Sequence, residues 1–367
     1  MKIVCSKSKL STAISIVLKA VSTKTTMPIL ECILIEAQGD IIKLTANDME
    51  LGIETILEGE VIEPGRIALE AKLLSDIVRK LADNNVTIET NDKYETLIRC
   101  EKSKFKIAGK EGSDFTELPE IEKNNFITVS QFTLKEVIRQ TIFSTSDNEN
   151  NILMTGELFE INEDKLKVVS LDGHRISIRN INLSQNYGFN KVIVPAKTLS
   201  EISKILTGEI QDEVKIYFTS KHILFEFDQT KVLSRVLEGE YYKISQMLSN
   251  DYETKIDINK KEFLECIDRS TLLIKESDKK PIILNITSDN IELKINSTMG
   301  SLKEDVEIKK EGKDIMIGFN PRFLMDALKV IDDETLSIYM VNPKAPCVIK
   351  DQKETYIYLI LPVNFNI

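Results

Sequence analysis

The chain contains no tryptophan, only two histidines, and five cysteines among 367 residues. Each shortage removes a class of protein. Cys5, Cys32, Cys100, Cys266 and Cys347 lie far apart, are odd in number and form no C-x-x-C pair. A disulfide framework or zinc site is therefore not expected, and buried thiols are. No stretch approaches the roughly 20 apolar residues a bilayer span requires, and "MKIVCSKSKL" lacks the apolar core of a signal peptide, so a cytoplasmic protein is expected. There is no G-x-x-x-x-G-K-[ST] loop, no G-x-S-x-G elbow and no cluster of His, Cys and carboxylates. No nucleotide, metal or other cofactor is expected.

One of the two histidines stands in "SLDGHRIS", residues 170–177, with Asp172 before it and Arg175 after it. A histidine steadied by a carboxylate can move a proton, which would suit a hydrolase using His174 with Asp172. No nucleophile accompanies the pair. The alternative is a turn after the apolar run "KLKVVSL", with Asp172 bonding the backbone and Gly173 taking a positive φ. The other histidine, His222, opens "HILFEF", whose alternation reads as a strand.

What is present is a globular composition, 42% hydrophobic and 29% charged. The length suits two or three domains of about 100–200 residues each. A net charge of −10 argues against a nucleic-acid partner, provided the charge is evenly spread.

The chain repeats itself. The alternating strands "MKIV", "FITVS" and "KIDIN" each run into an amphipathic helix, near 7–20, 131–143 and 260–273. Hairpins follow in "CILIEAQGDIIKLTA", "ELFEINEDKLKVVS" and "ILNITSDNIELKIN". A second strand-to-helix passage aligns Ala71, Ala196 and Pro321, spaced 125 and 125 residues, and the hairpin ends align Asp48, Asp172 and Thr298, spaced 124 and 126. Two anchors in constant order indicate triplication. The class is α+β: three repeated domains of two helices and antiparallel sheets, with boundaries in "IEKNNF" and "LSNDYET" giving 1–122, 126–248 and 254–367. The six helix windows hold 16 Lys+Arg against 7 Asp+Glu, so they carry +9 while the rest carries −19. One surface suits an anion and the remainder repels it.

Seven ordered passages carry a resemblance: "TTMPILECILIEA", "LTANDMELGIE", "EPGRIALEAKLLSDIVRKL", "SLDGHRIS", "VIVPAKTLSEI", "IGFNPRFLMDAL" and "YIYLILPV". Along its full length the chain resembles the bacterial DNA polymerase III beta subunits, the sliding clamp family. The resemblance implies a non-enzymatic processivity factor: a head-to-tail homodimeric ring, each subunit forming half of it, with helices lining a hole around duplex DNA. Lys24, Arg79 and Lys197 are the leading candidates for sequence-independent phosphate attraction, followed by Lys9, Lys135, Arg139, Lys204, Lys260 and Arg322.

The resemblance further implies a hydrophobic pocket between the second and third domains. It would receive Gln-Leu-x-Leu-Phe-like motifs of the replicative polymerase, the clamp loader and repair proteins. The matching positions are Leu153, Met154, Leu171, Gly173, His174, Arg175, Ile176, Tyr242, Gln246, Met247, Leu359, Ile360, Leu361, Pro362 and Val363. Leu171, Tyr242 and Gln246 stand where the family usually has threonine, proline and arginine. The subunit interface would set Lys102, Lys104, Phe105 and Ile107 against Leu272 and Leu273 of the other copy, with Glu304, Asp305 and Glu307 as charge partners. A competing reading keeps the fold but makes the chain a DNA-independent scaffold.

Overall fold

The computed structural model describes all residues except Thr23, Ser245, Gln246, Ser249, Asn250, Glu276, Ser277, Asp278, Lys279, Asn366 and Ile367. Three strand-to-helix passages open the repeats, and each builds its helix start from a side chain. Strand Lys2–Ser6 runs into α1 (Lys7–Val17), where Ser6 Oγ accepts the Lys9 amide at 3.3 Å. α2 spans Ala71–Lys80, and the Glu70 carboxylate accepts the Lys72 and Leu73 amides at 3.0 and 2.7 Å. The remaining helices are α3 (Gln131–Thr141), α4 (Ala196–Ile205), α5 (Lys260–Thr271) and α6 (Pro321–Val330). Asn259 and Asn320 cap α5 and α6 through their side-chain oxygens, and Pro321 fills the first turn of α6, where no N–H is needed. The anchors Ala71, Ala196 and Pro321 are thus the first residues of α2, α4 and α6.

The hairpin ends are also equivalent, with one adjustment. Asp48 Oδ1 accepts the Glu50 and Leu51 amides, Asp172 Oδ1 accepts those of His174 and Arg175, and Ser297 Oγ accepts that of Met299. The third counterpart is therefore Ser297, not Thr298, because in all three turns the capping oxygen accepts the amide two residues on. Gly173 carries φ +88°, the left-handed conformation the turn requires.

The chain divides into two compact units, Met1–Leu134 with Glu201–Val236, and Lys135–Ser200 with Leu237–Ile367. The first holds a five-stranded and a nine-stranded antiparallel sheet. The nine-stranded sheet is continuous because Leu51–Leu57 of the first repeat pairs with Thr230–Arg235 of the second, Gly52 opposite Leu233. The second unit holds a twelve-stranded sheet, joined where Arg175–Asn182 pairs with Tyr356–Ile360, Ile176 opposite Leu359. Repeats are therefore joined by strand pairing that satisfies edges which a single repeat would leave open. The core of the third repeat gathers Phe263, Cys266, Ile267, Leu324 and Leu328 from α5 and α6 against Tyr356, Tyr358 and Ile360. All five cysteines are buried and unpaired, and burial pushes the Cys5 thiol up to about 12.

Glu157 is fully buried within the second unit, and the Thr141 hydroxyl donates to one of its oxygens at 2.9 Å while the other finds no partner. Burial raises its carboxyl from 4.5 to about 8, against the opposing pull of Thr141. Between those values the folded chain keeps a proton that the unfolded chain releases, so stability falls as pH rises through the interval. Replacing Glu157 by Gln is expected to flatten that fall by a few kcal/mol, measured as urea-unfolding free energies at about pH 5 and pH 8.

Candidate functional site

On the side of the twelve-stranded sheet facing away from Tyr358 and Ile360, a second apolar cluster forms. Its floor is Leu158, Val169, Leu171, Ile176, Ile178, Ile193, Val348 and Leu359, all buried. Strand alternation explains this membership: Leu359 and Ile357 turn to this side, whereas Tyr356, Tyr358 and Ile360 turn to the helix-side core. Ile360, expected in the pocket, is thus a core residue on the opposite face.

The connector after Val236 closes one flank. Tyr241 and Ile244 are buried in the cluster, Leu248 packs on it, and the Tyr241 hydroxyl donates toward the Gly156 and Val169 carbonyls, each at 3.3 Å. Tyr242, the expected tyrosine, is instead 38% exposed and meets Tyr241 edge-on, with ring centroids 6.0 Å apart. Met247 is 51% exposed at the rim. Leu153 and Met154 pack half-buried from the 3-10 segment Glu149–Thr155. Leu361 is exposed, and Pro362 and Val363 are half-buried. Gln246 lies outside the described residues. The result is a buried aliphatic floor with an exposed rim of Tyr242, Met247, Leu361 and His174, a chemistry suited to apolar anchors of a peptide.

The Asp172–Arg175 turn supports this floor from one end. Arg175 is buried, and its Nε donates to Asp172 Oδ2 at 2.9 Å, Nη1 to Asp326 Oδ2 at 2.5 Å, and Nη2 to the Phe143 carbonyl at 2.5 Å. Its guanidinium lies 4.3 Å from the centroid of Phe323 and 5.4 Å from that of Phe143. A planar cation with three donors engaged and two aromatic rings against it acts as a strut at this end of the apolar cluster. Asp172 is taken up by Arg175 and two backbone amides, and His174 stacks on Phe323 at 6.1 Å. No Asp–His pair forms, which removes the geometric basis of the hydrolase reading.

The first unit supplies an internal comparison. Register places Asn47, Gly52, Glu54, Ala68 and Lys231 where the second unit has Leu171, Ile176, Ile178, Ile193 and Ile357. Leu51, at the Arg175 position, is buried and apolar. Leu118 fills the space at Gly52, where a Cβ would lie 2.1 Å from Leu118 Cδ2. The same architecture therefore yields a partly polar cleft in one unit and an aliphatic floor, buried beneath Tyr241 and Ile244, in the other.

Family models for the N-terminal, central and C-terminal domains of the DNA polymerase III beta subunit match residues 1–119, 128–243 and 245–364. The chain belongs to the DNA polymerase III beta subunit family. It is 34% identical to the beta sliding clamp of Bacillus subtilis, over 99% of this chain and 100% of that protein. Among solved structures, a putative DNA polymerase III beta subunit from Eubacterium rectale is 64% identical with a TM-score of 0.97. The Bacillus subtilis clamp is 33% identical with a TM-score of 0.97, and both cover 100% of each chain. Like its family, this beta subunit is a sliding clamp for DNA polymerase III and a non-catalytic processivity subunit.

The candidate DNA cations of this clamp chain differ in how far they are already engaged. Lys24, Arg79, Lys197, Lys204 and Arg322 are exposed, although Arg79 pairs with Asp76 at 2.7 Å and Lys204 with Glu201 at 2.8 Å. Lys9 pairs with Glu58, and Lys135 is half-buried. Arg139 is clamped by Glu136 and Asp332, and Lys260 Nζ donates to the Ile331 carbonyl at 2.6 Å. These last two are the least available for phosphate.

Six of the nine expected interface residues lie on strands with an open side, and Lys102, Leu272 and Leu273 lie in turns. Ser103–Ala108 is the last strand of the five-stranded sheet, with Lys102, Lys104 and Phe105 exposed and Ile107 half-buried. Within Gly300–Gly312, residues 300–307 pair on one side with Asn290–Ser297, and residues 308–312 pair with the strand Thr254–Asn259. Leu272 beside it is 74% exposed, and Leu273 packs on the core. Glu304 already accepts from Arg269, Asp305 accepts from Asn290 at 2.8 Å, and Glu307 is exposed.

Arg175→Met would leave Asp172 and Asp326 without their buried cation. A loss of about 3–5 kcal/mol is expected from urea unfolding, several times that of His174→Ala, whose ring is exposed.

Proposed function

We propose that two copies of this clamp chain close head to tail into a ring around duplex DNA in the cytoplasm. The ring slides without reading sequence and holds the polymerase, the clamp loader and repair proteins by short motifs of the Gln-Leu-x-Leu-Phe kind. The observation that carries the docking half is the contrast between the two units: only the second has Leu171, Ile176, Ile178 and Ile357 where the first has Asn47, Gly52, Glu54 and Lys231. Leucine and phenylalanine anchors gain free energy by desolvating such a floor, and the exposed Met247 adapts to different ligands.

For the ring, the open side of Ser103–Ala108, bearing Lys104 and preceded by Lys102, suits the open side of residues 300–307, bearing Glu304, Asp305 and Glu307. Strand pairing would satisfy both edges, and opposite charge would set their register. For DNA, the excess of cations on the helices supports mobile phosphate attraction, with Lys24 and Lys197 foremost. Repulsion from the acidic remainder favours the helix-lined face.

Three measurements test these halves, two for the ring on DNA and one for docking. The loaded protein is expected to stay on nicked circular DNA and to leave once the circle is linearised, whereas equal escape from both forms rules out enclosure. Lys24→Glu with Lys197→Glu should weaken loading and retention, most visibly at low salt; no effect favours the DNA-independent scaffold. For docking, Leu171→Asn, which installs the first unit's residue, should weaken a Gln-Leu-x-Leu-Phe peptide by at least about tenfold in fluorescence anisotropy. Unchanged affinity would remove the groove from the reading.

A further inference from the structure

After the strand Tyr356–Ile360 the chain runs on as "LPVNF", residues 361–365. Its backbone is fixed at two points: the Leu361 amide donates to the His174 carbonyl at 2.9 Å, and the Val363 amide donates to the Gly318 carbonyl at 2.8 Å. Gly318 lies in Ile315–Phe319, the last strand of the twelve-stranded sheet. The tail therefore covers an edge that would otherwise lie open.

Phe365 holds the far end of this tail. A Cβ on Gly318 would lie 2.7 Å from Phe365 Cδ1 and 2.8 Å from the Val363 carbonyl oxygen, closer than real side chains sit. Gly318 is buried and has no left-handed φ, so its glycine is required by space, not by backbone conformation. The ring and the missing side chain fit one another, and the Val363 amide bonds to the carbonyl of that same glycine.

We propose that Phe365 is a positioning residue for peptide docking: seated on Gly318, it latches the tail across the sheet edge and holds Leu361, Pro362 and Val363 as a preformed wall of the groove. The proposal rests on the docking reading above. A tail left loose would have to be ordered on each binding event, and that entropy would be subtracted from affinity.

The test uses the full chain and a Gln-Leu-x-Leu-Phe peptide. Phe365→Ala and Gly318→Ala are each expected to raise Kd about tenfold, with Phe365→Leu recovering most of the loss. The double variant should bind no more weakly than the worse single one, since both release the same tail. Amide hydrogen exchange supplies a readout that needs no peptide: the Leu361 and Val363 amides should exchange faster in Phe365→Ala. Unchanged affinity in Phe365→Ala overturns the proposal, whatever Gly318→Ala does. If the unaltered chain binds no such peptide, the docking reading fails instead. Exchange then decides the latch alone: unchanged rates refute it, and faster rates at both amides support it.

Discussion

The structure depends on a constraint imposed by the backbone: a half-sheet ends in an edge whose N–H and C=O groups must be paired. The second repeat meets this demand on two sides. Thr230–Arg235 pairs with the first repeat through Leu51–Leu57, and Arg175–Asn182 pairs with the third through Tyr356–Ile360. The compact units consequently cut across the sequence repeats, so that the middle repeat gives one part of itself to each sheet. Two of the strands that remain open, Ser103–Ala108 and residues 300–307, are those to which the family resemblance assigns the subunit interface.

The apolar cluster of the second unit is a product of such a seam. Pairing Ile176 with Leu359 brings residues 183 positions apart side by side, on the sheet face opposite the helix-side core. The seam in the first unit pairs Gly52 with Leu233 in the same register, and there the space is filled by Leu118. Triplication thus supplied equivalent junctions, and a handful of differences at strand positions on this face made one of them aliphatic. The buried Arg175 belongs to the same divergence. At its position the first unit has Leu51, which needs no partner, whereas a buried guanidinium needs Asp172, Asp326 and the Phe143 carbonyl together. That requirement ties the turn to α6 and fixes the end of the groove.

Much of this was legible in the order of residues. Strand alternation and helix period are local properties of the chain, so the strand-to-helix passages, the hairpins and the anchors Ala71, Ala196 and Pro321 could be read directly. The Asp172-Gly173 turn was legible for the same reason: a short side chain bonding amides two and three residues on is a local event. Thr298 was misaligned by one because a two-residue hairpin loop and a turn with an aspartate cap look alike until the strand register is known.

What only the tertiary structure decided is which side chains meet across long separations. Asp326 lies 151 residues from Arg175, and nothing in either neighbourhood marks them as partners. The choice of Tyr241 over Tyr242 for the buried position depended on how the connector lies against Leu158 and Ile193. The turning of Ile360 away from Leu359 depended on which face of the sheet the helices cover. The sequence by itself determined the three repeats, their helices and the surplus of cations on them, because period, spacing and charge are properties of the chain. The site was decided by the fold, because burial and pairing are properties of neighbours in space.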